Sequence, residues 1–363
     1  MLLNAASVRQ TFDGIQMLRA VAAIAVLIHH TLINLSHVAS VETPLNSFGH
    51  FDDLGAAGVD LFFVISGFIM MYVSHHEFGR DGAVTRFLWR RAIRIYPLYW
   101  LYTSVILALA VLPGMFRNLQ FDTPYVIKSL MLVPALRPGP HPTIHPLLDQ
   151  GWTLSYEVGF YLAFAVCLAV GSTRKALWAL PALFAVLVAT GHLLTPASEA
   201  AQFLSLPLPF EFCFGMLIAW ALLNQRLPMH FHGVALLLAV LLFAASAMFK
   251  IDPMLRPLVW GIPSALFVYA AVGIPLAGNR VGRLLVVLGN ASYSIYLTHA
   301  FVIFAVAHIA RGRGDTLLSA LAWQAGTLIT CIVVGHLAYI AVERPLLARL
   351  STISLPFQRR VMP

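Results

Sequence analysis

The chain has 363 residues, 60% of them hydrophobic and 10% charged, with a mean hydropathy of +0.82. A soluble domain carries roughly 45–50% apolar and about 25% charged residues, so this chain is a polytopic membrane protein. Its net charge of +8 sits in short connections between apolar stretches, the usual topogenic pattern, and this placement excludes nucleic-acid binding.

A polar lead, 1–14, precedes a first span predicted over 15–37, which begins IQMLRAVAAIAVLIHH. No small-x-small cleavage site follows His29–His30, so this reads as an uncleaved span and not a signal peptide. A connection with Glu42, Asp52 and Asp53 leads to a second span, 56–74. A basic connection carrying Arg80, Arg86, Arg90, Arg91 and Arg94 leads to a third, 95–113.

Residues 114–150 hold Pro124, Pro134, Pro138, Pro140, Pro142 and Pro146, a density that forbids a regular span. They predict an outer loop with a short amphipathic or re-entrant piece over 125–136. Further spans are expected at 151–171, 175–194, 203–223, 232–249, 255–276, 284–310 and 316–342. The fold class is thus all-α, with about ten transmembrane helices enclosing a polar tunnel. Residues 1–345 form the membrane domain and 346–363 a basic tail. With the N-terminus inside, 16 of the 23 Lys and Arg fall on the cytoplasmic side, which predicts an N-in, C-in topology.

Ionisable groups inside a bilayer are costly and mark candidate chemistry. Arg19 and His30 are eleven positions apart, which on a helix returns to within about 20° of the same face over about 16 Å of rise. His29 falls about 80° from Arg19 on the same wheel. A neutral imidazole at His30 is suited to take a proton from a hydroxyl near neutral pH.

Asp60 opens the second span, where the helix dipole favours an acid; a second reading has it orient His30 or the acceptor. Glu157 lies one turn into the fourth span and demands a cation or donor, with Arg19 or His30 as candidates. Arg91 and Arg94 are spaced i and i+3, a geometry that can grip phosphate, against plain positive-inside anchoring as the alternative. Asn290, Ser292, Tyr293, Ser294, Tyr296, Thr298 and His299 make the ninth span polar; Tyr296 and His299 share a face. They line a cavity or bond neighbouring helices. Cys167, Cys213 and Cys331 have no metal or disulfide spacing and read as core residues. His141 and His145 lie four apart, but the prolines around them spoil helical metal geometry, and no metal site is expected.

The segments IQMLRAVAAIAVLIHH, GVDLFFVISGFIM, RRAIRIYPLYW, WTLSYEVGFY, LGNASYSIYLTH and VERP, in this order, resemble membrane-bound acyltransferase family 3, and within it the exopolysaccharide O-acetyltransferase group. The resemblance runs from near residue 15 to 345. It implies transfer of an acyl group, usually acetyl, from cytoplasmic acyl-CoA to a hydroxyl of a surface or secreted glycan, in a bacterial inner membrane. The family's arginine–histidine motif maps onto Arg19 and His30, its paired-arginine motif onto Arg91 and Arg94, and its Trp-to-Glu motif onto Trp152 and Glu157. On this reading His30 is the general base, with Arg19 and Glu157 in support, or it carries the acyl group transiently in a ping-pong route. Arg91 and Arg94 hold the CoA phosphates, and Asp60, Trp152, Tyr296 and His299 are expected to bind substrate. No hydrolase-like domain follows the tenth span, so the membrane domain is expected to act alone. Oligomeric state is left open. The competing reading is a transporter or flippase for a glycan or lipid-linked intermediate; it lacks a reason for the RRAIR segment and for the absence of repeat symmetry.

Overall fold

The computed structural model describes residues 5–36, 51–110, 121–139, 143–194, 198–228, 230–274, 278–310 and 316–353. Most of the connection after the first span, Arg117, His141 and the last ten residues lie outside these. Among the described residues all regular structure is helical.

The long helices are α1 (Ala5–Ser36), α2 (Ala57–Ser74) and α3 (Ala83–Ala110). A short helix, α4 (Thr123–Leu130), precedes α5 (Gly151–Val170) and α6 (Thr173–Leu194). Then come α7 (Glu199–Leu204), α8 (Pro209–Leu223) and α9 (His232–Ser246). A 3₁₀ turn and a π turn, Pro257–Gly261, lead into α10 (Ile262–Gly273). α11 (Arg280–Asn290), α12 (Ser292–Ala310) and α13 (Leu317–Ala338) follow, and a π turn, Tyr339–Glu343, joins α13 to α14 (Arg344–Ser351). Among the described residues nine helical stretches are long and apolar enough to cross a membrane; α9, at 15 residues, is shorter. The protein is a multi-pass membrane protein.

Three helices depart from the expected spans. The first begins at Ala5, ten residues before the predicted 15, so most of the polar lead is helical. The third begins at Ala83, twelve residues before the predicted 95, because the arginine-rich segment is itself helical; arginine is a good helix former and needs no apolar surroundings. Pro97 sits inside it, as helix bundles in membranes tolerate. The predicted ninth span is two helices broken at Ala291. The short piece expected in the proline-rich loop is α4, which starts slightly earlier than predicted. Its boundary is set by Asp122, whose carboxylate accepts the backbone N–H of Tyr125 at 2.8 Å, and by Pro124 in the first turn. α14 runs across residue 345, the expected end of the membrane domain.

The chain forms two compact units, Met1–Ile69 with Phe214–Val342, and Met70–Cys213 with Glu343–Pro363. The first has a core of Ala23, Leu27, Ala291, Ile295, Val302, Ile303 and Cys331, contributed by α1, α12, α13 and the α11–α12 junction. Small residues let its helices approach closely. A Cβ on Gly58 would run into the carbonyl of Ala22 on α1, and one on Gly55 into the backbone of α1 at Ala25 and His29. The second unit is built on aromatic packing: Phe160 stacks on Phe212 at 4.4 Å, and Phe164 meets Phe87 at 5.2 Å.

Candidate active site

In the first unit, α1 carries Arg19, His29 and His30, all partly buried. The packing of Gly55 and Gly58 fixes this helix at the level of Ala22 to His29. Across from it α12 presents Tyr296 and His299, buried at 7% and 1% exposure. The His299 ring lies 5.0 Å from that of His30, tilted by 31°, and His29 is edge-on to His30 at 5.1 Å. Tyr296 is 5.8 Å from His299 and packs edge-on against Phe62 of α2 at 6.2 Å. The structure therefore brings His30 together with Tyr296 and His299, which the sequence had placed on a face of another helix.

Asp60 is fully buried and paired with Arg256 just before the π turn. The contact is bidentate: Nη2 donates to Oδ2 at 2.6 Å and Nε to Oδ1 at 3.2 Å. The guanidinium also lies 4.9 Å from the ring centre of Trp260, a cation–π contact. Sequence reasoning gave Asp60 no such partner, and Arg256 falls at the very start of the span expected over 255–276. The available signal was an arginine beside a span start, in a region otherwise poor in cations.

In the second unit, Arg86, Arg90, Arg91 and Arg94 of α3 line a cleft of about 510 Å³, with Trp89, Ile93, Leu347, Ser351 and Ile353. Carboxylates hold three of the four arginines. Glu77 accepts from Arg86 at 2.6 Å and lies 3.8 Å from Arg90. Arg94 donates to Glu343, the glutamate of the VERP segment, which is 2% exposed. Arg91 is placed differently, its guanidinium 6.0 Å from the ring centres of both Phe87 and Tyr161. Its Nε is buried and makes no hydrogen bond. The cleft thus presents four guanidiniums against two carboxylates.

Glu157 accepts a hydrogen bond from Tyr161 at 2.5 Å, so it and Arg91 flank the same tyrosine. Tyr161 was not among the expected residues; its i+4 spacing from Glu157 was the available signal. Trp152 stacks on His145 with ring centres 6.1 Å apart and 16° between planes. His145 also meets Asp149 through Nδ1 at 3.0 Å, and Arg137 donates to the same Asp149 oxygen at 2.8 Å. No group of three or more possible metal ligands occurs among the described residues.

A buried histidine beside a half-buried one, and an arginine-lined cleft, in a chain of membrane-crossing helices, are the parts of a membrane-embedded group-transfer enzyme. A family model described as an acyltransferase domain matches residues 12–341, and the chain belongs to acyltransferase family 3. It is an acyltransferase. It is 38% identical over 307 residues to the exopolysaccharide production protein ExoZ of Rhizobium meliloti (strain 1021), covering 83% of this chain and 92% of that one. It is 28% identical over 328 residues to the acyltransferase MdmB of Streptomyces mycarofaciens, covering 82% of each. No solved structure matches the chain.

Proposed function

We propose that this protein is an O-acyltransferase that moves an acetyl group from cytoplasmic acetyl-CoA to a hydroxyl of an extracytoplasmic polysaccharide. In this reading it lies in a bacterial inner membrane with both termini cytoplasmic. The observation that carries the proposal is the arginine cleft, where four guanidiniums beside apolar Trp89, Ile93 and Leu347 suit a donor with several phosphates and an adenine ring. The likeness to ExoZ supports a polysaccharide acceptor.

In this mechanism Arg91 and Arg94 grip the donor phosphates, Arg94 being aimed by Glu343 and Arg91 by Phe87 and Tyr161. The thioester is presented to His30 on the Arg19–His30 face of α1. His30 takes the proton of the acceptor hydroxyl as its oxygen attacks the thioester carbon. A C–O bond forms, the C–S bond breaks, and the leaving thiolate collects the proton from the imidazolium. Tyr296 supplies a donor for the oxyanion. Trp152 and Asp60 serve the acceptor side, Asp60 indirectly by holding Arg256.

The test uses purified full-length protein, acetyl-CoA and alkali-deacetylated host polysaccharide, with thiol release and polysaccharide acetyl content as readouts. His30→Ala abolishes transfer while the protein stays monodisperse, and His29→Ala leaves most of it. Transfer retained by His30→Ala, or no acetyl-CoA consumption by the wild type, overturns the reading.

A further inference from the structure

His299 is 1% exposed, and its Nδ1 lies 2.6 Å from the carbonyl oxygen of Tyr296, one turn back on the same helix. A carbonyl can only accept, so Nδ1 carries the hydrogen. In the neutral ring Nε2 is then the lone-pair nitrogen. The carbonyl one turn back on the same helix thus sets the tautomer. The centre of the His30 ring lies 5.0 Å from that of His299, a separation that a ring-to-ring N–H···N hydrogen bond spans.

The surroundings hold the couple in register. Ala23 and Leu27 on α1, Ile295 on α12 and Cys331 on α13 are at most 2% exposed and pack as one apolar cluster. Cys331 also donates weakly to the His299 carbonyl at 3.9 Å. In such a place a lone imidazolium is costly, whereas a neutral acceptor beside it spreads and stabilises the charge.

We infer that His299 is a positioning residue for His30, its Nε2 accepting the single N–H of the neutral His30 ring. That hydrogen bond fixes which His30 nitrogen is basic, and it stabilises the imidazolium while the proton waits between hydroxyl and thiolate. The proton balance of transfer is unchanged: the proton enters and leaves through His30. The inference rests on the reading of His30 as base.

The experiment compares His299→Asn, His299→Gln and His30→Ala with wild type, all purified and full-length, by kcat and KM for acetyl-CoA and by melting temperature. Asparagine can keep the bond to the Tyr296 carbonyl but puts nothing where Nε2 sits; glutamine can place an oxygen there. The expected result is a fall in kcat of about a hundredfold for His299→Asn with KM little changed, and recovery of about tenfold of that by His299→Gln, at similar melting temperatures. If His30→Ala is inactive but His299→Asn keeps kcat within about threefold, the inference fails and the reading of His30 stands. Equal losses in both His299 variants, or a rise in KM at unchanged kcat, also overturn it. An active His30→Ala would instead remove the reading beneath it.

Discussion

Arg94 donates a hydrogen bond to Glu343, joining residues 249 positions apart and tying the arginine motif of α3 to the VERP segment. The two partners are unequal: Glu343 is 2% exposed and Arg94 28%. Losing the guanidinium takes a cation from a buried carboxylate, whereas losing the carboxylate leaves an arginine that can still reach water. Arg94→Ala is therefore expected to destabilise by about 3–5 kcal/mol, and Glu343→Gln by clearly less. Thermal unfolding in detergent measures both, and equal shifts would contradict the assignment of burial. Glu343→Gln should still raise the KM for acetyl-CoA, since Arg94 is no longer aimed.

Arg91 offers the cleft a cation that is held by aromatic rings and by no carboxylate. Arg91→Ala should raise the KM for acetyl-CoA by roughly tenfold, the worth of one charge-assisted phosphate contact. Wild-type KM should climb with ionic strength, and the variant's should climb less steeply. Equal salt slopes in the two proteins would place the phosphates elsewhere.

Gly58 meets the backbone of α1 with no room for a side chain. Gly58→Val forces α1 and α2 apart at Ala22 and Val26, with an expected loss of about 1–3 kcal/mol or more. The readout is the melting temperature and the yield of monodisperse protein. A valine variant as stable as the wild type would mean the helices are not in contact there.

Partial desolvation pushes the Asp149 carboxyl up. The hydrogen bond with His145, together with the charges of His145 and Arg137, outweighs this and holds it at about 2. A carboxyl depressed in the folded state contributes stability that is present above its unfolded value, about 4. That contribution is lost as pH falls from there through about 2. Hydrogen exchange in 131–139 and 143–150, corrected for intrinsic rate, should stay protected down to about pH 4 and then rise. Asp149→Asn should show weaker protection at pH 7 and little change across that window.

Local features of the molecule were legible in the sequence and long-range pairings were not. α5 was visible because GWTLSYEVGFY opens an uninterrupted apolar run and Gly171, at φ 80°, closes it. The start of α3 was hidden because hydropathy reports where a helix meets lipid, and its first turns carry Arg86, Arg90 and Arg91. The break at Ala291 was hidden because the residues on both sides are apolar enough to read as one span. Periodicity brought Arg19 and His30 to one face and Tyr296 and His299 to another. It had no means of bringing His30 to His299, since that contact depends on the packing of α1 on α12. Asp60 was recognised as a costly charge, yet its partner Arg256 lies 196 residues away and leaves no periodic trace.

That separation bears on how the chain is made. Asp60 enters the membrane with the second helix, and the arginine that neutralises it is synthesised only after α9. Until then the growing protein carries a carboxylate in the bilayer without its guanidinium. Nascent chains ending before Arg256 should accordingly be poor at leaving the translocon and open to proteolytic surveillance, and the late addition of one residue marks the point at which the first half of the bundle becomes safe to release.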